Sequence, residues 1–436
     1  MIVMKFGGTS LGTSDAVRRV VDIVRRVRHR RPVLVASAHA GITDSLEALA
    51  RRGPRDAAEV TAIETWHRSL LADLGLAAEL LEELWGELRD ALQSVHHGGE
   101  ASPRALDRLY SFGERCSVRV VAGFLSQQGL AARAVDAWDA GLRTDAAFGR
   151  ARPLPDDGRM REFFAAMDEI PVVTGYIAKD ADGNITTLGR NGSDYSAALI
   201  GHALRAEEIQ IWKDVDGVMT ADPKLVPHAR PIPRMSFEEA SELAYWGGRV
   251  LHPSALEPAI EGSIPVRVLN TSRPDLDGTS IVARFDEPGE PVRSIVHKRV
   301  HLVHLVAPGV RRHSAVLARM FDAAERFEID TDVVSSSEAS VTLTAAPAAR
   351  TDEWIAALRQ VGAVTVERDH ALVSVVGRGV ALDRGVAARV LATLAEVEVP
   401  VLVISQGANN VNLALVIAEA HLPRAVPALH DAFFPA

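Results

Sequence analysis

The sequence predicts an α/β chain: one open, mostly parallel sheet sandwiched by helices, followed by two small ferredoxin-like modules. Three observations predict it. Apolar, strand-like runs pass through Gly-rich or polar turns into helices of amphipathic spacing, the alternation that builds parallel sheets. A Pro- and Gly-punctuated stretch, Asp286-Glu287-Pro288-Gly289-Glu290-Pro291, then marks a linker, beyond which a strand–helix–strand–strand order occurs twice. The length of 436 residues also exceeds one ordinary core, so two or three domains are expected.

Met1-Ile2-Val3-Met4-Lys5-Phe6 reads as the first strand and runs directly into Gly7-Gly8-Thr9-Ser10. Asp15 to Val27 then has Ala16, Val20, Ile23 and Val27 on one helical side. The glycines let a phosphate approach the backbone, and Lys5 supplies a point charge at the strand end. Taken alone, such a lysine reads equally as a solvent-facing rim residue. Neither G-x-x-x-x-G-K-[ST] nor G-x-G-x-x-G is present.

Pro32 to Ala38 is a second apolar strand, and His39 to Asp44 is the loop after it. Open parallel sheets bind ligands at that edge, which makes Ser37 and Thr43 candidates to hydrogen-bond a substrate. Arg55 to Ser94 reads as helical, and His96-His97 read as loop residues without metal chemistry. The next helix, Leu106 to Leu125, carries Gly113-Glu114. Glycine inside a helix costs about 1 kcal/mol relative to alanine, so Gly113 points to a close approach by another group. Glu114 beside it is either a partner for an ammonium group or a surface glutamate.

Ala131 to Asp136 and Pro171 to Thr174 are further strands, and Leu142 to Ala151 is a loop between them. Thr186-Thr187-Leu188-Gly189-Arg190-Asn191-Gly192-Ser193-Asp194 follows, and Ala197 to Leu204 has helical spacing. Ser193 or Asp194 can cap that helix, whose N-terminus favours a phosphate or carboxylate. Arg190 adds a planar fork for a carboxylate. An ordinary capped turn is the plainer reading of the same residues. Glu208 to Trp212 is a strand entering the polar loop Lys213-Asp214-Val215-Asp216-Gly217 to Lys224, of the kind that holds a nucleotide. Glu238 to Leu251 reads as a helix, and Ile264 to Asn270 as the last strand before the linker.

Residues 1–285 are therefore expected to form one domain, 286–365 a first module, and 366–436 a second, either separate from the first or nested with it. Strand, helix, strand and strand are expected near Val300–Ala307, Ser314–Phe327, Ile329–Val334 and Ala339–Ala345. They recur near Ala371–Val376, Gly385–Ala395, Val399–Ile404 and Asn410–Ile417, and Pro423 to Phe433 closes the chain as a helix. These modules carry no catalytic cluster and read as sensors.

Composition narrows the class. A net charge of −9 argues against a general nucleic-acid binder, and the single Cys116 excludes a disulfide framework and a Cys-based metal site. No stretch reaches the roughly 18 apolar residues of a membrane span, and no signal-peptide pattern opens the sequence. A cytoplasmic chain that binds neither membrane nor nucleic acid is expected.

With these motifs in order, the chain resembles the aspartate kinases, members of the amino-acid kinase family that carry paired ACT domains. The resemblance rests on Lys5 to Ser10, Ser37 to Thr43, Gly113-Glu114, Thr187 to Asp194, Lys213 to Lys224 and Val250-Leu251-His252-Pro253. It implies phosphorylation of the β-carboxylate of L-aspartate by ATP to give 4-phospho-L-aspartate. Two alternatives stay open: a relative tuned to another amino acid, and an inactive ACT-type amino-acid sensor.

The resemblance also implies roles. Lys5 neutralises the transferring phosphoryl group, with Gly7, Gly8 and Ser37 along the phosphate path. Arg190 takes the substrate α-carboxylate and Glu114 its α-ammonium, while Thr43, Ser193 and Asp194 surround the reacting end or order the site. Lys213, Asp214, Asp222, Lys224 and Arg249 line the nucleotide. No residue is assigned as a direct metal ligand, since Mg²⁺ is expected on phosphate oxygens and waters. Asp332, Ser336, Ser337 and Glu338 match positions where lysine-sensitive relatives hold an effector, and the ACT pair implies a homodimer or larger assembly. Departures from the pattern are His39, Asn191 for glycine, Lys213 for threonine or serine, Met219 for tyrosine and Arg249 for lysine. Ala315 and Val316 replace a glycine and a bulky aromatic beside the effector positions.

Overall fold

In the computed structural model, which describes residues 1–435 except 53–56, 98–101, 190, 249, 285–289, 308–312, 338–339, 381–382 and 408–410, the chain forms two units. The side chains of 51–52, 57–59, 94, 96–97 and 313 also lie outside the description. The first unit comprises Met1–Val218, Pro231–Phe237 and Val250–Phe285. The second comprises Met219–Arg230, Glu238–Arg249 and Asp286–Ala436.

Strands of the first unit are β1 (Ile2–Phe6), β2 (Pro32–Ala36), β3 (Ala132–Val135), β4 (Ile170–Thr174), β5 (Ile177–Lys179), β6 (Ile185–Thr187), β7 (Glu208–Lys213), β8 (Arg234–Ser236), β9 (Val266–Asn270) and β10 (Thr279–Val282). Eight of them form a sheet in the order β3-β4-β2-β1-β7-β9-β10-β8. Every neighbouring pair is parallel except β9 and β10. β1 and β2 are buried along their whole length, as strands covered on both faces must be. β5 and β6 make a separate hairpin that the sequence reading did not anticipate.

Side chains alternate across a strand, and β1 shows what this decides. Ile2, Met4 and Phe6 join the core built with the helices Ser14–Val27 and Pro103–Gln127. Val3 and Lys5 therefore face the other side, where the helix Gly192–Leu204 packs. Gly201 permits that packing: a Cβ there would stand 2.6 Å from the side chain of Ile209 and 3.9 Å from Val3.

Several boundaries differ from expectation for local reasons. The helix expected to run to Leu251 stops as Phe237–Tyr245, before Gly247 at φ 115°, and a new helix, Pro253–Glu261, starts at the His252 cap. The helix Glu82–His97 includes the backbone of His96 and His97, where the sequence suggests a loop.

In the second unit, β11 (Ser294–Val306), β12 (Thr331–Ser336), β13 (Ser340–Ala345), β14 (Ala363–Val376), β15 (Val403–Gln406) and β16 (Asn412–Ala418) form an antiparallel sheet in the order β12-β13-β11-β14-β16-β15. β11 and β14 pair along nearly their whole length, with a register shift between Val300 and Leu302. Each therefore serves both halves of the sheet. One half has a core of Val303, Leu305, Met320, Leu343, Trp354 and Leu358, the other a core of Val373, Val375, Val390, Leu415, Val426 and Leu429. Trp354 and Leu358 come from the helix Thr351–Leu358, too short to stand out in the sequence. Among the described residues no helix is long and apolar enough to cross a membrane.

Candidate active site

The C-terminal ends of β1, β2 and β7 open onto a cleft of about 550 Å³ within the first unit. Lys5, Gly8, Ser37, Thr43, Glu114, Ser193, Asp194 and Lys213 line it together with His39, Tyr176 and Asn191. The sheet edge, not sequence proximity, assembles this set.

At its centre is Asp194, buried in the first turn of the helix Gly192–Leu204. Lys5 Nζ lies 2.6 Å from one carboxylate oxygen and Lys213 Nζ 2.9 Å from the other. Burial alone would raise the Asp194 carboxyl, but the two ammonium groups outweigh it and hold the pKa below its ordinary value. Lys5 is thus buried and paired, not solvent-facing. Lys213 owes its place to being the last residue of β7, next to β1 in the sheet.

Helix capping differs from expectation. Neither Ser193 nor Asp194 caps the helix, because the helix already begins at Gly192. The N-cap is Asn191 at φ 56°, ψ 24°, a left-handed conformation asparagine tolerates where most side chains do not. Asn191 thereby preserves the turn, and Asp194 keeps its carboxylate free for the lysines. Gly175 and Gly192 allow the tight packing: a Cβ on Gly175 would stand 2.6 Å from Ser193 Cβ, and one on Gly192 2.7 Å from the Tyr176 ring.

Glu114 approaches from the opposite face of the sheet. A Cβ on Gly113 would lie 2.7 Å from that of Ala38, so the glycine lets the helix Pro103–Gln127 close onto the loop after β2. The Ala38 N–H then donates to Glu114 Oε1 at 3.1 Å, while buried Oε2 has no hydrogen-bond partner among the described residues. Burial pushes the Glu114 pKa up to about 8, with the Ala38 hydrogen bond and Lys5 acting against it. A free oxygen of this kind suits an incoming ammonium group.

His39 is a scaffold residue despite lining the cleft. Its Nδ1 bonds to the Leu11 carbonyl at 2.7 Å, and its ring packs against Trp66 and His67. Burial, reinforced by His67, lowers its pKa to about 3, so the ring is neutral.

The other expected residues lie elsewhere. Gly7 adjoins the cleft, but its N–H is used on the Trp212 carbonyl. Asp214 is exposed just beyond Lys213. Asp222 and Lys224 belong to the second unit, where the Lys224 N–H donates to Asp222 Oδ1 at 2.9 Å. Arg190 and Arg249 lie outside the described residues, as does Glu338. In the second unit, Asp332 pairs at 2.6 Å with Lys298, whose ammonium also stands over the rings of Tyr245 and Trp246. Ser336 is exposed, and Ser337 Oγ lies 2.8 Å from Ser340 Oγ.

Sequence reasoning missed Tyr176 and Asp107. Asp107 is fully buried and accepts from the Thr187 N–H and hydroxyl at 2.9 and 2.7 Å and from the Gly149 N–H at 2.9 Å. It fastens the loop after β3 and strand β6 in place ahead of Gly189. A signal existed: Asp107, Ser111 and Glu114 stand at i, i+4 and i+7, a buried polar stripe on one helix face.

Comparison with known proteins agrees with this geometry. The model of the amino acid kinase family matches residues 1–270, and that of an ACT domain matches residues 373–433. The chain is 34% identical to aspartokinase 1, chloroplastic, of Arabidopsis thaliana, over 99% of this chain and 80% of that one. It is 32% identical to the lysine-sensitive aspartokinase 3 of Escherichia coli, over 100% and 99% of the two chains. The E. coli aspartokinase III structure in complex with aspartate and ADP has a TM-score of 0.87 at 31% identity, covering both chains completely. Its T-state structure with lysine and aspartate has a TM-score of 0.83 at 31% identity, covering 100% of this chain and 99% of that one. By sequence along nearly its full length and by fold, the chain belongs to the amino acid kinase family, in its aspartokinase branch.

Proposed function

We propose that this chain phosphorylates the β-carboxylate of L-aspartate with ATP, giving 4-phospho-L-aspartate and ADP. The observation that carries this reading is the Lys5–Asp194–Lys213 cluster in one cleft with the partnerless oxygen of Glu114. The similar E. coli enzyme structure that holds aspartate and ADP supports the choice of substrates.

In this reading a β-carboxylate oxygen of aspartate attacks the γ-phosphorus as the bond to the β,γ-bridging oxygen breaks. ADP leaves with that electron pair. The attacking carboxylate is already ionised, so no proton has to be removed. Catalysis then reduces to positioning and charge stabilisation. Lys5 faces the transferring group, and Lys213 adds positive charge on the nucleotide side. Asp194 holds both ammonium groups at fixed positions before substrate arrives. Glu114 takes the α-ammonium, Arg190 the α-carboxylate, and Thr43 and Ser193 border the reacting end.

The two buried carboxylates of the cleft, Asp194 and Glu114, do not fit a protein-held magnesium ion. Asp194 has both oxygens on lysines, and burial favours the protonated form of Glu114. Mg²⁺ enters on the phosphates of ATP, where it offsets their charge.

An amino-acid effector, lysine or threonine first, is part of this reading, with the second unit as its site and as the contact for a homodimer. Lys298 pairs with Oδ1 of Asp332, so an effector ammonium at that carboxylate shares it with Lys298. The cytoplasmic setting expected from the sequence also stays part of the reading.

An assay of acyl-phosphate formation tests the function. The chain, ATP and Mg²⁺ are incubated with L-aspartate, L-glutamate or other amino acids, and hydroxylamine traps the product as a coloured hydroxamate. Product with aspartate is expected. Product only with another amino acid, or with none, overturns the reading. Titrating lysine, threonine and methionine into the same assay tests the effector.

A further inference from the structure

Two histidines and an aspartate in the second unit form a cluster that phosphoryl transfer leaves unused. His228 lies on the segment Met219–Arg230, and His430 and Asp431 are neighbours near the end of the helix Leu422–Phe433. One ligating atom from each lies within 4.8 Å of the others. His228 Nε2 is 2.8 Å from Asp431 Oδ1, and His430 Nδ1 is 3.7 Å from the same oxygen.

His430 gives the cluster its meaning. Its side chain is fully buried, yet Nδ1 has no hydrogen-bond partner among the described residues. Leaving such an atom unsatisfied is costly unless something else binds it. Its other nitrogen, Nε2, lies 2.9 Å from Thr220 Oγ1, which itself accepts the Arg230 N–H at 3.0 Å. That contact fixes the ring and leaves Nδ1 toward Asp431, the arrangement that outer-shell groups impose on metal-binding histidines.

We propose that His228, His430 and Asp431 bind one divalent transition-metal ion of the zinc class, tying the segment Met219–Arg230 to the final helix. Two imidazole nitrogens and one carboxylate oxygen are a donor set for such ions and not for magnesium. Bonds of about 2.0–2.2 Å in tetrahedral geometry place ligand atoms about 3.3 Å apart, between the two distances observed, so small side-chain movements close the site. His228 and Asp431 are exposed, which provides entry and leaves the fourth position to water. The Arg230 guanidinium, the nearby charge that opposes a cation, is engaged with the Pro435 carbonyl at 3.0 Å.

The test uses the full chain stripped with a chelator and without nucleotide. Zn²⁺ is titrated by calorimetry and Co²⁺ by visible absorption. One equivalent of each ion, the intense visible bands of four-coordinate Co²⁺ and a raised melting temperature with Zn²⁺ are expected. His228→Ala and Asp431→Asn, both exposed positions, each weaken binding at least about tenfold and abolish the thermal shift. Kinase activity of the variants in metal-stripped buffer supplied with Mg²⁺ checks their folding. Absence of one-equivalent binding, or unchanged affinity in the His228→Ala Asp431→Asn double variant, overturns the site.

Discussion

Lys5 Nζ lies 2.6 Å from Asp194 Oδ1, joining the end of the first strand to the first turn of the helix Gly192–Leu204. Both groups are buried, so under the proposed function the pair is expected to serve catalysis and stability together. Lys5→Met keeps most of the volume and removes the charge. Turnover should fall by about 10²-fold or more. Stability should fall by about 3 kcal/mol, the low end for breaking a buried pair, because Lys213 remains on the other oxygen. Steady-state kinetics and denaturant titration measure the two losses, and turnover near the parent value would falsify the catalytic role.

Lys213 tests the division of labour. Lys213→Thr leaves the Lys5–Asp194 pair in place and removes the second ammonium. The KM for ATP should rise about tenfold or more while kcat stays within about tenfold. A loss confined to kcat would instead put Lys213 at the transferring phosphoryl group.

Under the proposed function, Glu114 is expected to make both stability and substrate affinity depend on pH. Its folded pKa of about 8 lies above the ordinary carboxylate value, so between those limits the folded chain binds more protons than the unfolded one. Its contribution to stability is therefore complete below the ordinary value and is lost as pH rises through about 8. Glu114→Gln should flatten that part of the melting-temperature profile. The KM for aspartate should fall as pH rises toward 8, because only the ionised carboxylate attracts the substrate ammonium. A pH-independent KM in the parent chain would remove Glu114 from the substrate site.

Gly113 acts through space. In Gly113→Ala the new methyl would stand 2.7 Å from Ala38 Cβ, so the helix has to retreat and the Ala38–Glu114 hydrogen bond lengthens. The KM for aspartate should rise severalfold or more. Adding Ala38→Gly restores the space and should recover most of the loss. Equal kinetics in the single and double variants would show that this contact is not what positions Glu114.

Asp107→Ala strips two buried donors of Thr187, and the N–H of exposed Gly149, of their acceptor. Each unsatisfied buried donor costs about 1–3 kcal/mol, so a loss of at least about 2 kcal/mol is expected, with a raised KM for the amino acid. Thermal melts and kinetics on the same preparation check both. A stable variant with an unchanged KM would mean that the loop holds its place without Asp107.

Much of this protein was determined locally. β1, β2 and β7 were legible because buried parallel strands read as continuous apolar runs, and Lys5, Glu114 and Asp194 were legible because each sits in a short stretch of unusual composition. Strand and helix order in the second unit was readable apart from the helix Thr351–Leu358, which is too short to stand out. Tertiary structure decided what depends on register and approach. Only the adjacency of β7 to β1 brings Lys213 to Asp194, and only the closure of Gly113 on Ala38 turns Glu114 into a buried carboxyl with one free oxygen. Asn191 became the helix cap because the turn demanded a left-handed residue two positions before the expected Ser193 and three before Asp194. The sharing of β11 and β14 between two cores was likewise invisible, since a strand's own residues do not say how far its partners extend. Periodicity and composition are properties of neighbours in sequence, whereas ion pairs, burial and cap geometry arise between residues that meet only when the sheet closes.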